Sequence, residues 1–487
     1  MERIMNPLRI TLMSPAAYRP LPNGTMGTIG WWKGFMPWGG LFHLSAVIRH
    51  YAKASAIPID TTLVDEVIQR DLSHLDSITP DACDLLILTS VQGTGMPRAA
   101  DIAALARSRG VPTIIGGPHA IMCNMGDVLR PGISVAAGEA EVLIPHILQD
   151  IPGNSGLKPE YGEGKFIASL LPLILDPQEL RATLSRYVQP LAPVYFIARG
   201  CPFICSFCSV PVLAGSKVRV LETNSIIRAL RVLVNAGIKW LMFPSDNFNK
   251  IPGIKDILRA IIEARLGIRF FVQCDAQIAH DEELVELLGR AGCFQMFVGV
   301  ESLDRAVLES VHKRHNKPEQ YAQIVRLCRK YGIKPHFSNI IGFPGQTPEQ
   351  IEDHLVGLME LDPTFASFYV MTPEPGTPDW KTYTGKGLLT ESDISLFDTS
   401  RLVWNQGIPP REMERILHRC YRRFHLRSMR RPSGFIGGAY SALMGFLGIH
   451  PMSSGIGPRV IDHADQYQAL RRSTYGWDQL PLPVNRS

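Results

Sequence analysis

The chain has 487 residues, of which 45% are hydrophobic and 20% are charged, and its formal net charge is +5. This composition excludes an intrinsically disordered protein, and the length allows two or three domains that each bury a core. A charge of +5 on so long a chain gives no argument for nucleic-acid binding.

The termini and the cysteines bear on the compartment. The N-terminus lacks the apolar core of a signal peptide, and the longest apolar candidate, residues 434–449, is interrupted by glycines and small polar residues. Of the nine cysteines, only three lie close together in sequence, so most are expected to be buried thiols in a reducing compartment. We therefore expect a soluble cytoplasmic protein or one peripheral to a membrane.

Residues 8–150 alternate apolar strands with amphipathic helices such as 41–51 and 99–109. The predicted strands are 8–13, 61–64, 85–89, 112–116 and 133–137. Such alternation predicts an α/β, doubly wound, Rossmann-like domain with a parallel sheet. Ligands of these sheets bind beyond the carboxyl ends of the strands. The candidate residues at those ends are Gln92, Gly93, Gly116, Gly117, His119, Gly138 and Glu139.

Two segments, one within this region and one after it, lack a regular pattern of apolar residues. Residues 14–40 form a long connection that contains Trp31, Trp32 and Trp38, which either cover a bound ligand or hold the loop on the core. Residues 151–192 are rich in glycine, proline and polar residues until a helical stretch at 177–187. We interpret 151–192 as an interdomain linker.

Three cysteines, Cys201, Cys205 and Cys208, have the spacing C-x3-C-x2-C and directly follow an apolar run at 194–198. This spacing is too tight for ordinary disulfides, but a loop can direct all three sulfurs at one soft metal centre. Three thiolates leave one iron of a four-iron cluster open for another ligand. A structural zinc site is the alternative, although zinc normally takes four ligands and no second cysteine pair follows.

With Phe207 directly before the last cysteine, the motif resembles the signature of radical S-adenosylmethionine (SAM) enzymes. In that family a [4Fe-4S] cluster, here held by Cys201, Cys205 and Cys208, binds the amino and carboxylate groups of S-adenosyl-L-methionine at its open iron. An external donor such as flavodoxin or ferredoxin supplies the electron.

Residues 193–380 alternate again, with helical patterns at 225–236, 254–264, 281–291, 318–331 and 348–361. The predicted strands are 194–198, 240–244, 270–274, 296–300, 336–341 and 367–371. Six units indicate a partial (β/α)6 barrel with its site at the carboxyl ends of the strands. The resemblance implies that SAM is contacted there by Phe207, Asp246, Gln273, Glu301, Ser302, Ile341 and Gly342.

Glu301 emerges from an apolar strand. A buried, unpaired carboxylate is costly, so Glu301 is expected to have a cationic or hydrogen-bonding partner. The alternative is an ordinary surface salt bridge.

The turns at 116–119 and 138–141 resemble those of the cobalamin-binding domain that precedes the cluster domain in one class of radical SAM enzymes. The resemblance implies that the seven strand-end residues from Gln92 to Glu139 contact cobalamin. The D-x-H-x-x-G motif that supplies a cobalt ligand in other families is absent. A hydrogen bond from His119 to its own loop is therefore favoured over cobalt ligation.

The last hundred residues begin with a basic amphipathic pattern at 412–431, followed by an apolar stretch at 435–447. This helix either lies on an anionic membrane or packs on the barrel with a solvated basic face, and packing is favoured. From Pro451 onward an irregular tail that is partly ordered on the enzyme is predicted. The domains expected are 1–150 for cobalamin, 151–192 as linker, 193–380 as radical SAM barrel and 381–487 as a helical C-terminal region.

The function that follows is a cobalamin-dependent radical SAM enzyme that C-methylates an apolar biosynthetic intermediate, such as a tetrapyrrole or a lipid. An alternative is oxidative ring closure of the kind performed by anaerobic magnesium-protoporphyrin monomethyl ester cyclase, which the layout also resembles. A non-catalytic carrier or sensor of cobalamin or the cluster is a third hypothesis, but it would not need Glu301 or the barrel turns.

Overall fold

The computed structural model describes residues 6–20, 26–69, 71–151, 156–162, 166–195, 197–427, 456–462 and 464–476. The chain folds into two compact units. The first consists of Met1–Pro193, Ser392–Ser395 and Gly455–Ser487, and the second of Val194–Glu391 and Leu396–Ser454. Within the described ranges, no helix has the length and apolar character needed to cross a membrane.

The first unit contains strands from both ends of the chain. These are β1 (Leu8–Ser14), β2 (Tyr18–Pro20), β3 (Met26–Lys33), β4 (Ile59–Asp65), β5 (Leu85–Leu88), β6 (Thr113–Gly116), β7 (Ile133–Ala136), β8 (Glu160–Tyr161), β9 (Ala192–Pro193) and β17 (Ile456–Asp462). Its helices are α1 (Gly39–Ala54), α2 (Met96–Ser108), α3 (Pro118–Met122), α4 (Ala140–Asp150), α5 (Pro177–Leu184) and α15 (Ala464–Tyr475).

Six of these strands form a parallel sheet in the order β4-β1-β5-β6-β7-β8. All four residues of β5 are buried, as expected for a strand with helices on both faces. The strand order reverses between β1 and β5, which creates the switch point where such sheets bind ligands. The doubly wound fold predicted from the sequence is confirmed.

A second, antiparallel sheet has the order β17-β3-β2. The prediction of a long connection at 14–40 is wrong where β2 and β3 form. The tail from Pro451 was predicted to be irregular and partly ordered, and β17 and α15 form within it. Strand pairing depends on the partner as much as on local propensity, and β3 and β17 lie at opposite ends of the chain. Trp38 is 41% exposed, and the side chains of Trp31 and Trp32 lie outside the described residues.

Helix α15 is held on α2 by a buried ionic network. Arg471 Nε lies 2.7 Å from Asp101 Oδ1, and the Tyr18 hydroxyl donates to Asp101 Oδ2 at 2.7 Å. Arg98, one turn before Asp101, is fully buried and pairs with Glu66 at 2.6 Å. The last described helix therefore belongs to the core of the first unit.

Glu66 makes the stability of this unit depend on pH. Burial alone would raise the pKa of Glu66, but the charge of Arg98 and hydrogen bonds from His74 and Arg98 lower it from 4.5 to about 2. Because the folded-state pKa is the lower one, the carboxylate contributes about 3 kcal/mol. This contribution is complete above about pH 4.5 and is lost as the pH falls toward 2.

We expect Glu66→Gln to lower the stability of the first unit at pH 7 and to flatten its loss between pH 4.5 and 2. Hydrogen exchange of peptides from this unit, measured across that pH range, checks the expectation. Glu360→Gln, at an exposed position of the second unit, is the control. An unchanged pH dependence in Glu66→Gln would contradict the role of the Arg98 pair.

The second unit contains β10 (Ala198–Arg199), β11 (Arg219–Val220), β12 (Trp240–Phe243), β13 (Arg269–Asp275), β14 (Cys293–Glu301), β15 (Lys334–Ile341) and β16 (Phe365–Val370). Its helices are α6 (Val210–Ala214), α7 (Thr223–Asn235), α8 (Ile254–Glu263), α9 (Glu282–Ala291), α10 (Arg305–Ser310), α11 (Tyr321–Lys330), α12 (Pro348–Leu361), α13 (Pro378–Gly385) and α14 (Pro410–Leu426). Short 3-10 turns across the two units cover Glu66–Ile68, Ser73–Leu75, Gly93–Gly95, Gly126–Val128, Phe248–Lys250, Ala276–His280, Pro318–Gln320 and Ile394–Leu396.

Strands β12 to β16 are parallel and are paired in chain order, which confirms the predicted partial barrel. Its helices bury one face, as α8 does with Ile254, Ile257, Leu258 and Ile261. Helix α12 begins with a capping box in which Thr347 Oγ1 accepts from the Gln350 N–H at 3.3 Å. Local sequence therefore sets where these elements begin and which face they bury.

The first predicted barrel strand, 194–198, is not one continuous strand. Val194 N–H donates to Met242 O at 2.8 Å, whereas Ala198 and Arg199 pair antiparallel with β11. Gly200 has a φ of 97° and turns the chain into the cysteine loop, so its preceding residues pair with the strand that follows that loop. An apolar run does not reveal that change of partner.

Helix α14 packs against the edge strand β16. The Tyr421 hydroxyl accepts from Phe368 N–H at 3.0 Å and donates to Phe368 O at 2.8 Å. Met413, Ile416 and Phe424 are buried, while Arg415 and Arg419 are exposed. The packed helix with a solvated basic face is thus the arrangement observed, and residues 428–431 and 435–447 lie outside the described residues.

Candidate active site

The cysteine loop is closed at its start by backbone hydrogen bonds. Gly200 N–H donates to Asp246 Oδ2 at 2.7 Å, and Cys201 N–H donates to Gly215 O at 3.2 Å. A Cβ at Gly200 would lie 2.4 Å from Lys217 O, so only glycine fits this turn. Asp246 therefore holds the loop that carries the first thiol.

The end of the loop is attached to two later elements. Ser206 N–H donates at 3.1 Å to the backbone O of Val311, which directly follows α10. The N–H of Asp379, in α13, donates to Ser206 O at 3.1 Å. Cys208 N–H donates to Cys205 O at 3.1 Å, which curls the backbone between the last two thiols. The loop is thus built into the barrel edge and does not project from it.

All nine cysteines are free, and the three of the motif lie on this one loop. Burial raises the pKa of Cys208 to about 12 and also raises that of Cys205, while the charge of Lys313 acts in the opposite direction on both. Metal ligation requires thiolates, which a nearby cation favours. Three free thiols beside a buried lysine fit a cluster that takes three cysteine ligands.

Among the described residues, no group of three or more His, Cys, Asp or Glu is arranged to hold a single metal ion. A structural zinc ion needs its ligands to converge on one point, whereas cluster cysteines bind different irons. The geometry of the loop gives no support to the zinc alternative.

Glu301 has the cationic partner that the sequence called for. Lys313 Nζ lies 3.0 Å from Glu301 Oε1, and their side chains are 10% and 8% exposed. Ser338 Oγ donates to Glu301 Oε2 at 3.4 Å. The prediction of a buried partner is correct, and the surface salt bridge is excluded.

The backbone at Glu301 is unusual for a strand end. Glu301 has a φ of 61°, in the left-handed region that non-glycine residues rarely adopt. Asn316 Nδ2 donates to Gly299 O at 2.7 Å and to Val300 O at 3.1 Å, which holds the preceding carbonyls. A Cβ at Gly299 would lie 2.6 Å from Glu301 Oε1, so the carboxylate folds back over a glycine.

The other predicted SAM residues lie on the same barrel. Phe207 packs edge to face with Phe343, which follows Gly342, at 6.4 Å between ring centroids. Gly342 has a φ of 78° and donates its N–H to Gln346 Oε1 at 2.8 Å. Ile341 is fully buried at the end of β15, Ser302 is 1% exposed, and Gln273 is half-buried in β13. Their contacts with SAM stay a prediction.

Sequence reasoning assigned no individual role to several residues of this edge. Lys313 carried no signal, because it follows α10 and not a strand. Glu374 in the turn after β16 is half-buried, burial raises its pKa to about 7, and the Thr377 hydroxyl donates to its backbone O at 2.6 Å. Asn247 and Asp275 bond to each other at 2.9 Å; Asp275 ends β13, and Asn247 lies in the turn after β12. Position at or after the end of a strand was the signal that could have identified these three.

The candidate cobalamin residues meet at one edge of the first unit. Val91 N–H donates to Gly116 O at 3.2 Å, and His119 N–H donates to Val91 O at 2.9 Å. Gly117 has a φ of 123°, and a Cβ there would lie 2.4 Å from Val91 N. The turns that carry Gln92 and Gly93 and those that carry Gly116 and Gly117 are therefore packed together.

His119 is 5% exposed, and burial lowers its pKa to about 4, so the ring is neutral near pH 7. Its Nδ1 lies 3.6 Å from Cys123 Sγ. These contacts with its own helix agree with the favoured reading, a hydrogen bond within the loop. Gly138 precedes Glu139, whose Oε2 accepts from Ile167 N–H at 2.7 Å. Cobalamin contacts by these residues stay a prediction.

A family profile described as "Radical SAM superfamily" matches residues 195–356. This range contains the cysteine loop, Glu301 and Lys313. The chain has a radical SAM domain. The family resemblance carried by the cysteine motif is thereby confirmed.

Curated relatives of this chain are named as methyltransferases. It is 29% identical to bacteriochlorophyllide d C-8(2)-methyltransferase of Chlorobaculum tepidum over 322 residues, which cover 63% of this chain and 70% of that protein. It is 28% identical to hopanoid C-2 methylase of Rhodopseudomonas palustris over 306 residues, 60% of this chain and 56% of that protein.

Solved structures share the fold over nearly the whole chain. The methyltransferase TsrM from Kitasatospora setae, solved with cobalamin and a [4Fe-4S] cluster, has a TM-score of 0.61 at 18% identity and covers 97% of this chain and 100% of that chain. The cobalamin-dependent radical SAM enzyme OxsB, solved with aqua-cobalamin, has a TM-score of 0.63 at 13% identity. The match covers 91% of this chain and 72% of that chain. The predicted fold class is confirmed, and the cofactor set expected from the sequence is the one present in structures of these neighbours.

Proposed function

We propose that this radical SAM protein is a cobalamin-dependent methyltransferase that transfers a methyl group to carbon on a small, largely apolar molecule. The observation that carries the proposal is the three-thiol loop fixed beside the buried Glu301–Lys313 pair at the carboxyl edge of the half-barrel. The names of the relatives support the reaction class.

The cofactors supply the chemistry: the cluster with SAM supplies a radical that removes hydrogen from carbon, and cobalamin supplies the methyl group. The protein has to bind them and keep water out. Cys201, Cys205 and Cys208 would hold the cluster, and the positive charge of Lys313 opposes the rise that burial causes in the pKa of Cys205 and Cys208. Asp246 holds the loop through Gly200.

Glu301 accepts from Lys313 and Ser338, which orients its carboxylate over Gly299. In the proposal this carboxylate and the Ser302 hydroxyl bind SAM. Phe207 and Phe343 give an apolar wall that would lie against the adenosyl group. The packed glycine turns after β5 and β6 let a flat ring system approach the backbone closely, which is what cobalamin would require.

The substrate class proposed is an apolar biosynthetic intermediate. Its support is that two relatives are named for bacteriochlorophyllide d and two for hopanoids, and that another, 29% identical over 183 residues, is named for tryptophan. Three phenylalanines in the strands of the half-barrel, Phe271, Phe297 and Phe365, are half-buried, and such apolar surface is compatible with an apolar substrate. An electron donor of the flavodoxin or ferredoxin type is part of the proposal.

The test is anaerobic reconstitution of the full chain with iron, sulfide and cobalamin, followed by addition of reductant and SAM labelled in its methyl group. Bacteriochlorophyllide d and a hopanoid serve as trial acceptors. Formation of 5′-deoxyadenosine together with label in an acceptor supports the proposal.

Three outcomes would count against it. A cluster without bound cobalamin would remove the methyl donor. Ring closure of magnesium-protoporphyrin monomethyl ester, supplied in a parallel reaction, without incorporation of label would indicate the cyclase. A cluster spectrum that does not respond to SAM would indicate a carrier.

A further inference from the structure

Asn247 joins the cysteine loop to the carboxyl end of β13. It lies in the turn after β12 and is 5% exposed. Its Nδ2 donates to Asp275 Oδ2 at 2.9 Å and lies 3.7 Å from Cys201 Sγ, within hydrogen-bonding range for sulfur. Its Oδ1 accepts from Asp275 N–H at 3.3 Å.

These partners leave the amide one orientation. The Asp275 backbone N–H can only donate and the Asp275 carboxylate can only accept, so the oxygen of Asn247 faces the first and its NH2 group the second. An amide NH2 has two hydrogens. One is used by Asp275, and the other is the donor available to Cys201.

Asp275 is itself held in place. Its Oδ1 accepts from Gln277 N–H at 2.6 Å and from Asn249 Nδ2 at 3.1 Å. Asn249 Oδ1 also accepts from Asp275 N–H at 2.9 Å. Asn247 and Asn249 thus make matching side-chain bonds to Asp275, but it is the Asn247 side chain that donates to Cys201 Sγ.

We propose that Asn247 is a positioning residue that donates an N–H···S hydrogen bond to Cys201 and thereby raises the reduction potential of the cluster, with Asp275 fixing its direction. The inference rests on the proposed function, since it needs the cluster. Reduction adds negative charge that is partly carried by the ligand sulfurs, and a hydrogen-bond donor stabilises that charge. Asn247 stabilises this charge through a neutral amide N–H and adds no charge of its own.

The test compares Asn247→Leu with Asn249→Leu in the reconstituted full chain, without SAM or substrate. Leucine has the same number and branching of heavy side-chain atoms as asparagine, but no hydrogen-bond donor. The midpoint potential is measured by redox titration followed by electron paramagnetic resonance, at iron and sulfide contents matched to the unsubstituted protein. We expect Asn247→Leu to lower the equilibrium constant for reduction several-fold, where a factor of ten corresponds to 59 mV for one electron. Asn249→Leu should shift it less.

An equal shift in both variants would show a general effect of disturbing Asp275 and would overturn the proposal. So would a more positive potential in Asn247→Leu. If that variant does not assemble a cluster, Asn247→Ala is titrated in the same way. If neither Asn247→Leu nor Asn247→Ala assembles a cluster while Asn249→Leu does, Asn247 is needed for cluster assembly, and its proposed effect on the reduction potential of the cluster is overturned. If the unsubstituted protein forms no cluster, the proposed function fails as well, whereas a cluster with an unmoved potential overturns this inference alone.

Discussion

Cys205→Ala is expected to abolish both cluster binding and reductive cleavage of SAM. Removing one of three thiols leaves two ligands for four irons, and the other six cysteines are buried outside this loop. Cys205 is 7% exposed, and its neighbours Ser206 and Cys208 carry the backbone bonds of the loop. The alanine variant should therefore keep the fold and lose the chemistry.

Iron content, the visible spectrum and 5′-deoxyadenosine formation after anaerobic reconstitution measure this effect. Cys420→Ala is the matched control, because Cys420 is a buried free thiol in α14 of the same unit. It should retain a full cluster. Equal iron loss in the two variants would mean that a non-specific effect of cysteine removal had been measured.

Lys313→Met is expected to destabilise the second unit by about 3–5 kcal/mol, because it leaves the buried Glu301 carboxylate without its counter-charge. Lys313 and Glu301 are 8% and 6% exposed, so water cannot replace the lost partner. Removing both charges in Lys313→Met with Glu301→Gln should cost less than the sum of the single changes, since no unpaired charge then remains.

The control is Lys330→Met, which breaks the pair of Lys330 with Glu282 at 2.6 Å. Both side chains of that pair are largely solvated, at 54% and 43% exposed, so its loss should cost about 0–1 kcal/mol. Hydrogen exchange of peptides from β14 and β15 under increasing urea compares the variants. Equal losses for Lys313→Met and Lys330→Met would contradict a buried ion pair.

Much of the fold could be predicted because its causes are local. Alternating apolar segments mark β1, β4 and β5 and the helices between them, and the reversal of strand order follows from such a fold. The spacing of Cys201, Cys205 and Cys208 allows one loop to direct three sulfurs at a metal centre, and its resemblance to the radical SAM signature implies a cluster. Glu301 at the end of an apolar strand required a partner because an unpaired buried charge is costly.

The missed features depend on partners distant in sequence. The pairing of β3 with β17 and the docking of α15 through Arg471 and Asp101 involve opposite ends of the chain. The apolar run before the cysteines predicted one strand, but Gly200 directs its end toward β11. A local pattern measures how well a residue suits a strand or helix and carries no information on which strand it will meet.

The sequence by itself therefore determined the class of the protein: a doubly wound unit, a partial barrel, a three-cysteine cluster loop and a buried acid in need of a counter-charge. Only the tertiary structure decided that Lys313 supplies that charge and that Asn247, oriented by Asp275, reaches Cys201. The physical reason is that burial and residue spacing are written along the chain, whereas the direction of a hydrogen bond is fixed only when elements far apart in sequence are packed side by side.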